Sequence, residues 1–179
     1  MNTAILIVDF QKDFFDPTGI FGKKYIKPNK LVNNLKYLLK KSREKNIPII
    51  WIKSVYGETS GKKYLEKPKG EKYKDIPLNN DYLSGTHSGK RKCCLRDNHL
   101  SQLYDINMKE EEDFIFEKKW YSAFTDTKLN DKLKELNISK LIITGVTANV
   151  CVQATATDAF FHGYDISIAK NCIDATTDK

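Results

Sequence analysis

Thr3-Ala4-Ile5-Leu6-Ile7-Val8, closed by Asp9, is the stretch on which the fold turns. Its aliphatic and β-branched residues follow one another with no polar face, and a run this short reads as a strand covered on both sides in a parallel sheet. Downstream, Leu31, Val32, Leu35, Leu38 and Leu39 recur at helical spacing with Lys30, Lys36, Lys40 and Lys41 on the other faces, which predicts a surface helix ending near Asn46-Ile47-Pro48. Ile49–Ile52 reads as a second buried strand, Asp113–Glu117 as a third, Leu141–Thr144 as a fourth and Tyr164–Ala169 as a fifth. Helices are expected over 127–137, with Leu129, Leu133 and Leu136 on one face, and over 149–162. Val150, Val152, Ala154, Ala156, Ala159, Phe160 and Phe161 make the last helix apolar on most faces, so it is expected to be largely buried. Alternating strands and helices imply a three-layer α/β/α sandwich with a mainly parallel sheet.

Residues 53–112 break the alternation with Gly, Pro, Lys and scattered tyrosines (Tyr56, Tyr64, Tyr73, Tyr82, Tyr104) and no clear period. So long a connection in a compact domain is expected to hold a short helix or turns and to serve as a lid or a subunit contact. The 179 residues suit one domain, and 40% hydrophobic with 30% charged residues is a globular composition. No apolar run reaches a membrane span and the opening run lacks the basic leader of a signal peptide, so no membrane partner is expected. The net charge is +7, but only Arg43, Arg91 and Arg96 among the 30 cations are arginine. Because base and phosphate recognition favours Arg, the charge reads as a solubilising lysine bias and no nucleic-acid partner is expected. Cys93, Cys94, Cys151 and Cys172 show no repeated spacing and read as intracellular thiols, which places the protein in the cytoplasm.

In an open α/β sheet, ligands bind beyond the carboxyl ends of the strands. Asp9 closes the first strand, Lys118 follows the third, and Cys151 lies in the turn from the fourth strand into a helix. Taken singly, such an Asp is a turn or cap residue, such a Lys a surface group and such a Cys a small core hydrophobe. Together an acid, an amine and a thiol at one rim make an activated nucleophile. Thr147 or Asn149 can cap the helix, which places Cys151 in its first turn. There the N-terminal dipole is expected to lower the thiol pKa, and the backbone N–H groups to stabilise an oxyanion.

Three separated motifs resemble the isochorismatase-like cysteine hydrolases, a group that includes nicotinamidases, N-carbamoylsarcosine amidase and ureidoacrylate amidohydrolase. They are Ile5–Phe15 (Ile-Leu-Ile-Val-Asp-Phe-Gln-Lys-Asp-Phe-Phe), Phe116–Phe124 (Phe-Glu-Lys-Lys-Trp-Tyr-Ser-Ala-Phe), and Gly145–Val152 followed by Ala154–Ala159 and Gly163-Tyr164. The resemblance implies the Rossmann-like topology of that group and a single domain over 1–179. It also implies a catalytic triad of Asp9, Lys118 and Cys151, Lys118 being the lysine four positions before Ser122 of the Ser-Ala-Phe element. A cis peptide at Val146–Thr147 is implied too, with the backbone N–H groups of Thr147 and Cys151 as an oxyanion hole. The implied reaction is hydrolysis of a C–N bond in a small amide or ureido substrate through a thioester on Cys151. Phe14, Phe15, Trp120 and Tyr121 are candidate pocket walls, and a homo-oligomer, dimer or tetramer, is expected.

Nicotinamidases of the group carry a metal site built from Asp-x-His after the second strand and a further His. Ile52–Glu58 contains no His, and His87, His99 and His162 are dispersed, so neither metal nor another cofactor is expected. The Ser84–Lys90 loop and the Cys93-Cys94 pair read as a structured loop with buried thiols. Relatives continue past the fifth strand, so the family's last helix and strand are expected to be missing. Competing readings are vinyl ether hydrolysis of the isochorismatase type, which does not rely on the Cys, and a non-catalytic assembly or thiol-sensing protein using Cys93, Cys94 and Cys151.

Overall fold

The computed structural model describes residues 2–22, 28–56 and 93–175. Expectations for Tyr64, Tyr73, Tyr82, His87 and the Ser84–Lys90 loop lie outside the described residues. Five strands form one sheet: β1 (Thr3–Val8), β2 (Ile49–Ser54), β3 (Phe114–Lys118), β4 (Lys140–Val146) and β5 (Asp165–Asp174). Their order is β3-β2-β1-β4-β5, and every neighbouring pair is parallel. β1 is central, and Ala4 to Val8 are fully buried because neighbouring strands and helices cover every side of them. β5 runs past the predicted Ala169 to Asp174, and its pairing with β4 is irregular between Ile143 and Gly145. The polar Lys170-Asn171 pair hides this extension in the sequence.

Alternation along the strands divides the core into two faces. Ile5, Ile7, Ile49 and Trp51 pack against Leu31, Leu35 and Leu39 of α2 (Pro28–Arg43), and the short α1 (Lys12–Phe15) adds Phe14 and Phe15 there. Ala4, Leu6, Val8, Ile50, Ile52, Leu141 and Ile143 face the other way. They pack against Leu129 and Leu133 of α3 (Leu129–Glu135) and Ala159 of α4 (Gln153–Phe161). The result is the expected α/β/α sandwich.

The expected burial of the 149–162 helix holds for one stripe only. Val152, Thr155 and Ala159 are buried, whereas Phe160 and Phe161 are 69% and 79% exposed. A helix laid on one face of a sheet turns a single stripe inward, and apolar residues around the rest of its circumference still meet solvent. Of the long connection, the described part 93–112 holds two single 3₁₀ turns, His99–Ser101 and Ile106–Met108. No described helix is long and apolar enough to cross a membrane.

β1, β2 and β3 extend the sheet in one direction, and the chain then returns to the far side of β1 for β4 and β5. This reversal opens a crevice between β1 and β4 at their carboxyl ends. Gly145 permits the close approach there. It pairs with Val8, has φ +109°, and a Cβ on it would lie 2.0 Å from the Val8 carbonyl oxygen.

Candidate active site

Four strand ends meet at the crevice. Asp9 leaves β1 in the left-handed region (φ 53°), with its N–H donating to the Ile52 carbonyl at 2.9 Å, and its side chain is fully buried. Ser54 ends β2 and is the register partner of Lys118, which ends β3. Beyond β4 come a cis Val146–Thr147 peptide and a π-helical turn, Ala148–Val152, that presents Cys151. The turn closes on one carbonyl: Thr147 O accepts the N–H of Val150 at 3.1 Å and of Val152 at 3.2 Å.

The side chains converge on the Lys118 ammonium. Nζ donates to Asp9 Oδ2 at 2.9 Å, to Ser54 Oγ at 2.7 Å, to the Trp120 carbonyl at 3.0 Å and to Cys151 Sγ at 3.4 Å. Ser54 Oγ donates to Asp9 Oδ1 at 3.0 Å, and the Asp9 carboxylate lies beside the Cys151 thiol. The structure therefore brings Asp9, Lys118 and Cys151 together as one buried cluster, with Thr147 beside it. Trp120 contributes its carbonyl to the cluster while its indole N–H donates to Asp126 at 2.6 Å, and half-buried Tyr121 packs against the core cluster that contains Cys151. Phe14 and Phe15 belong to the other core cluster, which also holds Tyr56. Phe14 stacks on Phe21 at 5.1 Å, and Phe15 packs on Phe10 and Tyr104, all within the core on the α2 side of the sheet.

Electrostatics depart from the expectation for Cys151. Burial pushes the thiol well up, the adjacent Asp9 charge pushes the same way, and Lys118 offsets only part of this. The helix N-terminus thus does not leave a resting thiolate, because the thiol is buried in a π turn against a carboxylate. For Lys118, burial opposes the ammonium but Asp9, Cys151 and Tyr56 outweigh it, and the pKa is raised. Cys94 is pushed well up by its hydrogen bond to Cys93 and by burial. Its backbone N–H is held by Asp13, and its carbonyl accepts from Tyr56 N at 2.8 Å. A thiol so strongly protonated is a poor redox sensor.

Sequence reasoning missed Ser54, Tyr56 and Gln11. The Tyr56 hydroxyl lies 3.2 Å from Ser54 Oγ. Gln11 clamps the Ser54 backbone, accepting its N–H at 2.8 Å and donating to its carbonyl at 2.8 Å, and it also donates to the Ser101 carbonyl at 2.6 Å. The rule that selected Asp9 and Lys118, a polar side chain at a strand's carboxyl end, also selects Ser54.

The isochorismatase domain family matches residues 3–179. An uncharacterised isochorismatase family protein of Bacillus subtilis, YaaI, is 30% identical over 181 residues, covering 99% of this chain and 83% of its own length. Ureidoacrylate amidohydrolase RutB of Enterobacter sp. strain 638 is 29% identical over 170 residues, covering 91% of this chain and 71% of its own. Among solved structures, N-carbamoylsarcosine amidase of Thermoplasma acidophilum superposes with a TM-score of 0.72 at 21% identity, over 98% of this chain and 85% of that one. Pyrazinamidase of Pyrococcus horikoshii, in complex with zinc, gives 0.76 at 20% identity, over 99% and 89%. Among the described residues no group of three or more His, Cys, Asp or Glu is placed to hold a metal, and the hydroxyls of Ser54 and Tyr56 are engaged with the cluster.

Proposed function

The chain belongs to the isochorismatase family of hydrolases, and from that membership we propose that it is a cysteine amidohydrolase cleaving a C–N bond of a small amide or ureido compound. One observation carries the reading: a carboxylate, an ammonium and a thiol form a single hydrogen-bonded cluster beyond the carboxyl ends of the central strands. Because the thiol rests protonated, its proton must leave as sulfur attacks, and Asp9 is the base in contact with it. Cys151 Sγ then bonds to the substrate carbonyl carbon, and the backbone N–H groups of Thr147 and Cys151 hold the resulting oxyanion. Asp9 returns the proton to the departing nitrogen, the C–N bond breaks and a thioester remains. Water, deprotonated by Asp9, attacks the thioester, and collapse releases the acid and restores the thiol. Lys118 keeps its charge throughout and balances the charge of Asp9. Trp120 and Tyr121 are the candidate walls for a small planar acyl group.

A panel of small carboxamides and ureido compounds, read by ammonia release, tests the proposal. The expected result is turnover on at least one compound and a loss of about 10³-fold or more in Cys151→Ala, with a Cys151 acyl adduct in acid-quenched protein by mass spectrometry. No ammonia from any compound, with no acyl adduct on Cys151, overturns the reading. Undiminished turnover of a vinyl ether by Cys151→Ala points instead to ether hydrolysis.

A further inference from the structure

The triad leaves part of the buried polar network without a role. Lys118 Nζ has three protons and four acceptors, of which Ser54 Oγ at 2.7 Å is nearest and Cys151 Sγ at 3.4 Å is farthest. Ser54 passes its own proton to Asp9 Oδ1 at 3.0 Å. The proton in the 3.2 Å contact with Tyr56 therefore belongs to the phenol, so Ser54 donates once and accepts twice. Gln11 holds both backbone polar groups of Ser54, which fixes where the hydroxyl sits.

We propose that Ser54, backed by Tyr56, is a positioning residue that holds the Asp9 carboxylate and takes up an N–H of Lys118, so that Lys118 stays turned toward Asp9 and away from Cys151 Sγ until substrate engages the site. The inference rests on the reading of Cys151 as nucleophile and gives that reading a resting state. A hydroxyl donated to a carboxylate favours its charged form, and an N–H of Lys118 spent on Ser54 is not spent on sulfur. Without the Ser54 hydroxyl, Asp9 Oδ1 loses a donor. Lys118 then has three protons for its three remaining acceptors, Asp9 Oδ2, the Trp120 carbonyl and Cys151 Sγ, so one N–H is freed for sulfur. An N–H of Lys118 given over to sulfur favours the thiolate. The titratable groups around the pair are Lys118 on β3, Tyr56 after β2, and Cys94 and Asp13 behind Tyr56. Of these only Lys118 is a cation. A resting thiol also resists oxidants, which attack thiolates.

The test is the rate of Cys151 alkylation by iodoacetamide across a pH series, read by mass spectrometry, with the Cys93, Cys94 and Cys172 peptides reporting whether the fold has opened. Ser54→Ala is expected to move the Cys151 midpoint down by about half a pH unit or more, roughly a threefold gain in rate at neutral pH. Tyr56→Phe moves it the same way by less, and Ser54→Thr, which keeps the hydroxyl, restores the wild-type profile. Should Ser54→Ala open the fold and expose all four thiols, Tyr56→Phe and Ser54→Thr decide the matter. A Cys151 midpoint that stays put or rises in Ser54→Ala and Tyr56→Phe, with a Cys151 acyl adduct still formed on the panel of carboxamides and ureido compounds, overturns this inference alone. Absence of a Cys151 acyl adduct with every compound of that panel overturns the nucleophile and this inference together.

Discussion

Lys118 is a cation with no exposed side-chain surface, 2.9 Å from a carboxylate that has none either. Such a pair persists only if each partner remains, because removing one leaves the other as an uncompensated buried charge. Lys118→Met is therefore expected to cost about 3–5 kcal/mol, beyond the loss of activity. Thermal unfolding should show a Tm lower by roughly 2–4 °C per kcal/mol for a chain of this size. Adding Asp9→Asn to Lys118→Met removes the stranded charge, so the double variant should unfold at a higher temperature than Lys118→Met alone. A Tm unchanged in Lys118→Met contradicts the account. The sequence reveals Asp9, Lys118 and Cys151 because each stands at a strand end inside a motif. Ser54 and Tyr56 escape it because a hydroxyl gains meaning only from its distance to a charge.

The elements are legible where periodicity is strong: the strand starting at Thr3, the leucine stripe of α2 and the short aliphatic run of β4 all fall where the sequence puts them. What periodicity cannot express is the junction between β4 and α4, where a cis peptide and a π turn replace a simple helix start. That junction reverses the expected shift of Cys151, since its sign depends on burial and on Asp9, neither of which is local in sequence. Gly145 stands just ahead of it, and its role follows from the register of β1 against β4. With φ +109° and Val8 O 2.0 Å from the site of a Cβ, Gly145→Ala must both strain the backbone and push the central strands apart. Backbone strain and overpacking together are expected to cost about 3 kcal/mol. Equilibrium urea unfolding of Gly145→Ala should show this as a lower midpoint, together with loss of activity because the pushed strands carry Asp9 and Cys151. A midpoint equal to wild type is incompatible with the tight β1–β4 pairing.

For the molecule as a whole, the sequence is most conspicuous for its +7 charge, yet buried thiols and a buried phenol, which contribute nothing to that number, shape its behaviour at alkaline pH. Burial raises the thiols of Cys151 and Cys172, hydrogen bonding to Cys93 with burial raises Cys94, and Tyr164 is raised by burial as well. In the unfolded chain the thiols titrate near ~8.5 and tyrosine near ~10. As pH rises through ~8.5 the unfolded state sheds protons that the native state still holds, and stability falls wherever the unfolded state binds fewer protons. The contribution of these groups is thus fully present below that pH and is lost progressively above it. Urea midpoints measured under reducing conditions should fall steadily from neutral pH to about pH 10, while Cys172→Ala, which lies outside the Asp9–Lys118–Cys151 cluster, shows a shallower fall. A midpoint that holds constant or rises over that interval would mean that the thiols ionise as readily in the native core as in the unfolded chain, against the burial seen for all four cysteines.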